Sequence, residues 1–134
     1  MFPIYLILGE PALVQGYIDT LVAKILVKGK NSMNFIRFDA EESVNKPIVE
    51  AQTVSMFSPT RIVLVSGISL ANIQLLDNLL GYCENPNQKT VLILSGNSLP
   101  KKGPVRKLKK AISKKGEVRE LKANSVKPPD YIRK

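Results

Sequence analysis

A loop that cradles a nucleotide's phosphates needs glycines to bend the backbone, a Lys for the terminal phosphates and a Ser or Thr for magnesium. In a parallel α/β domain the loop after the first strand is the usual place for such a ligand. In this sequence that segment reads Gly9-Glu10-Pro11-Ala12-Leu13-Val14-Gln15-Gly16. Two glycines are present, but Tyr17 and Ile18 stand where Lys and Ser or Thr would be needed. Glu10 would repel a phosphate, and Leu13 and Val14 would crowd it. A dinucleotide fingerprint is equally missing. The third apolar run ends Val65-Ser66-Gly67, without an Asp-Glu pair to hold a metal-bound water. The segment reads as a structural strand–helix turn, and a small ATPase is disfavoured.

A second group of residues could contact phosphates differently. Lys101, Lys102, Arg106, Lys107, Lys109, Lys110, Lys114 and Lys115 crowd fifteen residues with no acid among them. Residues 101–134 carry 13 Lys+Arg against 3 Asp+Glu, whereas residues 1–100 carry 7 against 8, so the net charge of +9 belongs to the C-terminal part. Such a run can make sequence-independent contacts to DNA phosphates. No aromatic residue interleaves it, so base stacking on single strands is poorly supported. A solvated helix face and attraction to an acidic protein partner are the other readings, and composition does not choose among them.

The third feature is apolar. Met56 and Phe57 lie between a helix-like segment and the turn Ser58-Pro59-Thr60, just before Arg61-Ile62-Val63-Leu64-Val65. By pattern alone such a pair either folds back as a cap on the core or is kept out for a partner.

These features must be positioned by one domain, since 134 residues support one core,. Hydrophobic residues make up 44% of the chain, enough to fold,. No run of about 18 apolar residues exists to span a membrane. Met1-Phe2-Pro3-Ile4 lacks the basic start of a signal peptide,. With one cysteine, Cys83, an internal disulfide is excluded, and a reducing, cytoplasmic setting is expected,. With no histidine, a His-based triad and a structural zinc site are excluded too,. Cys83 itself reads as core.

Short apolar runs alternate with longer amphipathic stretches. Strands are predicted at Pro3–Gly9, Asn34–Ala40, Arg61–Ser66, Thr90–Gly96 and in Glu-Val-Arg-Glu-Leu at 117–121. A first helix is predicted from Pro11 to about Gly29, with Leu13, Tyr17, Leu21 and Ile25 along one face. A short helix opens at Asn45 and Pro47, with Ile48, Ala51 and Gln52 on one face. A third helix is predicted with Ser69 as cap, running to about Cys83 with Leu70, Ile73, Leu76 and Leu80 as its stripe. Val105, Leu108 and Ile112 mark a last, Lys-faced helix. Strands apolar on both faces need helices on both sides, which argues for a three-layer, mostly parallel five-stranded α/β sheet.

Four segments then resemble a known family: YLILGEPALVQGYIDTL, FIRFDAEE, EAQTVSMFSPTRIVLVSG and LLGYCENPNQKTVLILSGN. Their order and spacing are similar to the N-terminal domain of the delta subunit of bacterial DNA polymerase III, the clamp-loader subunit that opens the sliding clamp. The shared features are a Gly-Glu turn after strand one and a Phe-Asp after strand two. A small-apolar-Phe-Ser element before a basic residue and strand three, and a Tyr-x-Glu-Asn-Pro turn before strand four, complete the set. The resemblance spans about residues 4–122.

The resemblance implies an AAA+-like (P-loop-NTPase-like) fold with a degenerate nucleotide site. It implies no cofactor, no metal and no catalytic residue, with any polymerase wording belonging to the parent holoenzyme. It divides the chain into an AAA+-like clamp-binding domain, 1–122, and a linker, 123–134, toward a second domain. It implies the sliding clamp (the beta subunit) as partner, with delta prime and gamma/tau subunits contacted through other regions and DNA as a further candidate. The family's clamp-binding apolar pair maps onto Met56 and Phe57. Leu more often precedes the Phe in the family, so Met56 is a mild departure.

Overall fold

The computed structural model describes residues 2–27, 29–30, 34–53, 60–97 and 104–122. Five strands, β1 (Ile4–Gly9), β2 (Phe35–Asp39), β3 (Arg61–Ser66), β4 (Thr90–Gly96) and β5 (Glu117–Leu121), form one sheet in the order β2-β3-β4-β1-β5. All four pairings are parallel, with Leu6 opposite Leu94 and Val118, and Val63 opposite Ile36 and Leu92. Every connection therefore crosses over, and helices supply the crossings.

Alternation along the strands divides the core into two halves. On one face Ile4, Leu6, Leu8, Val63, Val65, Leu92 and Leu94 pack beneath α2 (Lys46–Gln52), α3 (Ile73–Tyr82) and α4 (Pro104–Lys115). On the other, Tyr5, Ile7, Ile62, Leu64, Val91 and Ile93 pack against α1 (Pro11–Ile25), the one helix there among the described residues. The predicted three-layer α/β architecture is the observed one.

The strands stand within a residue of where the sequence places them, and the helices differ in informative ways. In α1 the buried line is Val14, Ile18 and Val22, continued by Leu26 beyond the helix end. Leu13, Tyr17, Leu21 and Ile25 form its half-buried flank. The helix is apolar over an arc broad enough to hold two i+4 rows, so periodicity alone cannot choose between them. It ends at Ile25 rather than near Gly29, whose amide instead closes a turn onto the Leu26 carbonyl at 2.8 Å. In α2, Pro47 and Ala51 are buried, while Ile48 is partly buried and Gln52 exposed.

The third helix is corrected more substantially. Its N-cap is Asn72, whose side chain accepts from the Leu75 amide at 2.9 Å,. Ser69 belongs to a preceding 3-10 turn, Ile68–Leu70. That turn rotates the later residues, so the buried stripe is Leu75, Leu76, Leu79 and Tyr82. Leu70 and Ile73 are 65% and 55% exposed, and Leu80 is only partly buried. Leu108 and Ile112 of α4 are fully buried, as their i+4 spacing requires. Cys83 is buried at the end of α3, and burial pushes its thiol up to about 11.

Candidate functional site: two ends of one sheet

In a parallel sheet all strands point the same way, so the domain has a C-terminal and an N-terminal end. The C-terminal end is where such folds usually hold ligands. Here the turn after β1 is tight. Gly9 ends β1 and Pro11 already begins α1, so the turn between them is Glu10 alone. Gly9 has φ +137°, and a Cβ added there would lie 1.9 Å from the Leu121 carbonyl oxygen. The Glu10 amide donates to that same oxygen at 3.0 Å. Pro11–Gln15 are already helical, and Gly16 sits on the exposed side of α1. No loop separates the two glycines, and the Glu10 amide, which could otherwise face an anion, is spent on β5. Beside this turn, Ile68 and Ser69 of the 3-10 turn press against Gly96 at the end of β4, where a Cβ would meet each at 2.8 Å.

A shallow groove of ≈ 450 Å³ runs along α1, lined by Leu13, Gly16, Tyr17, Leu21 and Leu121 among others. Next to it the Tyr17 hydroxyl donates to Glu117 Oε2 at 2.7 Å and Arg119 Nε donates to the same oxygen at 3.0 Å. These hydrogen bonds, Arg119's first, hold the Glu117 carboxyl below its ordinary range. Burial and the bond to Glu117 raise the Tyr17 hydroxyl. The trio pins α1 to β5. Among the described residues no group of three or more potential metal ligands comes together.

The N-terminal end is built differently. Met56 and Phe57 lie outside the described residues, but the points on either side of them do not. Before them, α2 ends at Gln52 and Thr53 turns into an extended conformation. After them, Arg61 opens β3. Arg61 reaches back to α2: Nη2 donates to Glu50 Oε1 at 2.7 Å and Nη1 to the Glu50 carbonyl at 3.3 Å. Its side chain is 9% exposed, that of Glu50 33%. From the turn before β4, Asn87 Nδ2 donates to the Ala51 carbonyl at 3.0 Å. Asn87 is itself held, its amide donating to the Tyr82 hydroxyl at 3.1 Å and its Oδ1 accepting from the Lys89 amide at 3.0 Å. Asn87, the residue just after the Tyr-x-Glu-Asn-Pro segment, thus supports the end of α2 and is itself held by Tyr82 of that segment. Sequence reasoning missed Glu50, Arg61 and Asn87. A charged residue heading an otherwise apolar strand was the available signal for Arg61.

Of the cations, Lys101 and Lys102 lie outside the described residues. Arg106, Lys107, Lys110, Lys114 and Lys115 are exposed along α4. Lys109 instead turns toward β5 and pairs with Glu120 at 2.7 Å. Arg106, Lys110 and Lys114 recur every four residues, so they share one side of the helix.

The comparisons with known proteins agree with this architecture. Residues 5–122 match the family model described as DNA polymerase III, delta subunit. No curated protein matches the chain. Among solved structures, the fold is similar to the DNA clamp loader delta protein of Bacillus subtilis, with a TM-score of 0.73 at 22% identity, over 90% of this chain and 38% of that one. It is also similar to a DNA polymerase III gamma subunit-related protein of Thermotoga maritima, with a TM-score of 0.60 at 15% identity, over 96% and 42%. The chain thus spans about two fifths of the length of these solved relatives.

Proposed function

The chain belongs to the DNA polymerase III delta subunit family, and from that premise we propose that its AAA+-like domain, residues 1–122, binds the sliding clamp and helps to open it. Met56 and Phe57 are the binding pair. The observation that carries this reading is the framing of residues 54–59 by Glu50, Arg61 and Asn87, at the end of the sheet away from the usual ligand site. An unbranched Met adapts to an irregular pocket and a Phe provides a large anchor. A few such residues seated in a pocket can dominate an interface. Each buried side chain contributes on the order of 1.5–3 kcal/mol.

Opening needs no covalent chemistry. A clamp ring opens when a ligand binds the open or separated protomer better than the closed ring, because only differential affinity shifts an equilibrium. The domain acts as a trap, without hydrolysing ATP. The one-residue turn at Glu10 supports this, since it offers phosphates neither a loop nor a Lys. Delta prime and gamma/tau subunits are the proposed companions, in the cytoplasm. Titrating the chain against the closed clamp and against a clamp protomer kept monomeric tests the trap. Tighter binding to the protomer is expected, and equal affinities for both would refute it.

A second reading concerns α4. Its exposed row of Arg106, Lys107, Lys110 and Lys114 favours contact with duplex DNA phosphates,. If these four cations each meet a phosphate, the salt slope is about −3.6, and affinity falls on the order of 100-fold between 50 and 200 mM salt. A chain that shows no DNA binding at low salt leaves α4 a solvated face, and salt-dependent binding to the clamp instead assigns it to the protein partner.

A further inference from the structure

Among the exposed large apolar side chains, Val44, Leu70 and Ile73 gather at one corner of the sheet. Neighbouring strands build that corner. β2 and β3 pair in register up to Asp39 and Ser66, and each then enters a 3-10 turn, Ala40–Glu42 after β2 and Ile68–Leu70 after β3. The two turns lie side by side. Asn78 of α3 donates to the Val44 carbonyl at 2.7 Å, which draws the chain leaving the first turn onto the helix that follows the second. Single exposed apolar residues are ordinary, whereas several together mark an interaction surface.

The backbone holds these side chains out. Gly67 is left-handed at φ +74°, and the Leu70 and Ala71 amides donate back to the Gly67 and Ile68 carbonyls at 2.9 and 3.1 Å. Ile68 is buried against the end of β4, so it anchors the turn and leaves Leu70 outside. The Asn72 cap then starts α3 with Ile73 on its solvent side. In the first turn Asp39 Oδ1 accepts from the Glu41 amide at 2.9 Å, and Ser43 Oγ donates to the Asp39 carbonyl at 2.8 Å. A surface fixed before its partner arrives loses little freedom on docking.

Charge says what the partner must be. Residues 39–49 and 67–78 carry Asp39, Glu41, Glu42 and Asp77 outside the Glu50 pairing, against one cation, Lys46, in a chain of net charge +9. Arg37 alternates to the sheet face that Phe35 shares with α1,. Glu41, Glu42 and Asp77 are exposed and form no ion pair among the described residues. Asp77 stands one helical turn from Ile73,. Carboxylates around an apolar centre repel nucleic acid and acidic proteins and favour a basic surface. We propose that this corner is a docking surface for a basic protein segment that carries large apolar side chains of its own. It stands at the end of β3 opposite Arg61, and it does not depend on the clamp-binding reading.

The probe is a helical peptide of Lys and Leu with its leucines on one face, titrated against the whole chain. A peptide with Glu in place of every Lys is the control and is expected to bind at least about tenfold more weakly. Leu70→Ser with Ile73→Ser should weaken binding of the Lys peptide about tenfold. Glu41→Lys with Glu42→Lys should do the same at low salt, with a loss that shrinks as salt rises. Clamp affinity should be unchanged in both. Should the serine pair fail to fold, the lysine pair decides alone. Equal binding of the Lys peptide by the unaltered chain and both variants would overturn the proposal, as would equal binding of the two peptides. Self-association on sedimentation that the serine pair abolishes would make the occupant a second copy, and lost clamp affinity in the folded variants would assign the corner to the clamp; either overturns the proposal. An unaltered chain that binds the Lys peptide but not the clamp supports the corner and refutes the clamp-binding reading alone.

Discussion

At the C-terminal end of β1 the backbone closes on itself, whereas at the N-terminal end of β3 side chains do the holding. The first closure is made by Gly9, the Glu10 amide and the Leu121 carbonyl. It leaves no room for a side chain at Gly9. The second is made by the side chains of Glu50, Arg61 and Asn87. Parallel α/β sheets usually hold ligands at the first end. In this chain the turn after β1 is a packing contact, and the side-chain contacts of Glu50, Arg61 and Asn87 stand at the opposite end.

Breaking the closed end should have the largest effect on stability. Gly9→Ala forces a Cβ into the Leu121 carbonyl at a backbone conformation that L-residues avoid,. A loss of about 3–5 kcal/mol is expected from denaturant unfolding. A loss below about 1 kcal/mol would mean that β5 yields easily and that this end is not rigid. Breaking the held end should cost less. Asn87→Ala leaves the buried Ala51 carbonyl without this donor, for about 1–3 kcal/mol, and should weaken clamp binding as well. An equal effect of Gly9→Ala on the clamp affinity of the folded chain would erase the distinction between the two ends.

The layer beneath the held end can be probed through Cys83. Its thiol is raised from the ordinary 9.0 to about 11 by burial. The folded chain therefore keeps the proton while the unfolded chain loses it. This contribution is intact below pH 9 and is lost as pH rises toward 11, by up to about 2 kcal/mol. Thiol labelling should follow global unfolding, and fast labelling of the native chain would show that α3 packs loosely. The smallest effect is expected at Gly16, where an added Cβ meets nothing within 4 Å. Gly16→Ala should stabilise the chain by up to about 1 kcal/mol and leave clamp binding unchanged.

The strands were legible because each is a short apolar run between turn residues. Arg61–Ser66, Thr90–Gly96 and Glu117–Leu121 could be read to the residue. Helix faces were less so. Ser69 and Asn72 both suit a cap, and only the left-handed Gly67 and the 3-10 turn after it decide for Asn72. Leu70 and Ile73 fit a helical stripe by spacing, yet that turn leaves them facing solvent. Gly9 and Gly16 looked like the two ends of one loop, but helix begins at Pro11 and absorbs the segment. At the candidate site, the apolar pair could be picked out because it sits oddly next to a turn. Its support could not: Glu50 and Arg61 meet across eleven residues, and Asn87 reaches Ala51 across thirty-six. Such contacts exist only once the sheet has assembled.

The central claim is that the domain works through the held end. Its most direct test is a titration of the cognate clamp with the chain and with its Met56→Ala, Phe57→Ala form. The account predicts an unchanged thermal transition and an affinity at least about 100-fold weaker, since burial of the two side chains contributes about 3 kcal/mol or more together. A double variant that loses its thermal transition would place the pair in the core, and one that binds the clamp as tightly as the unaltered chain would place the working surface elsewhere.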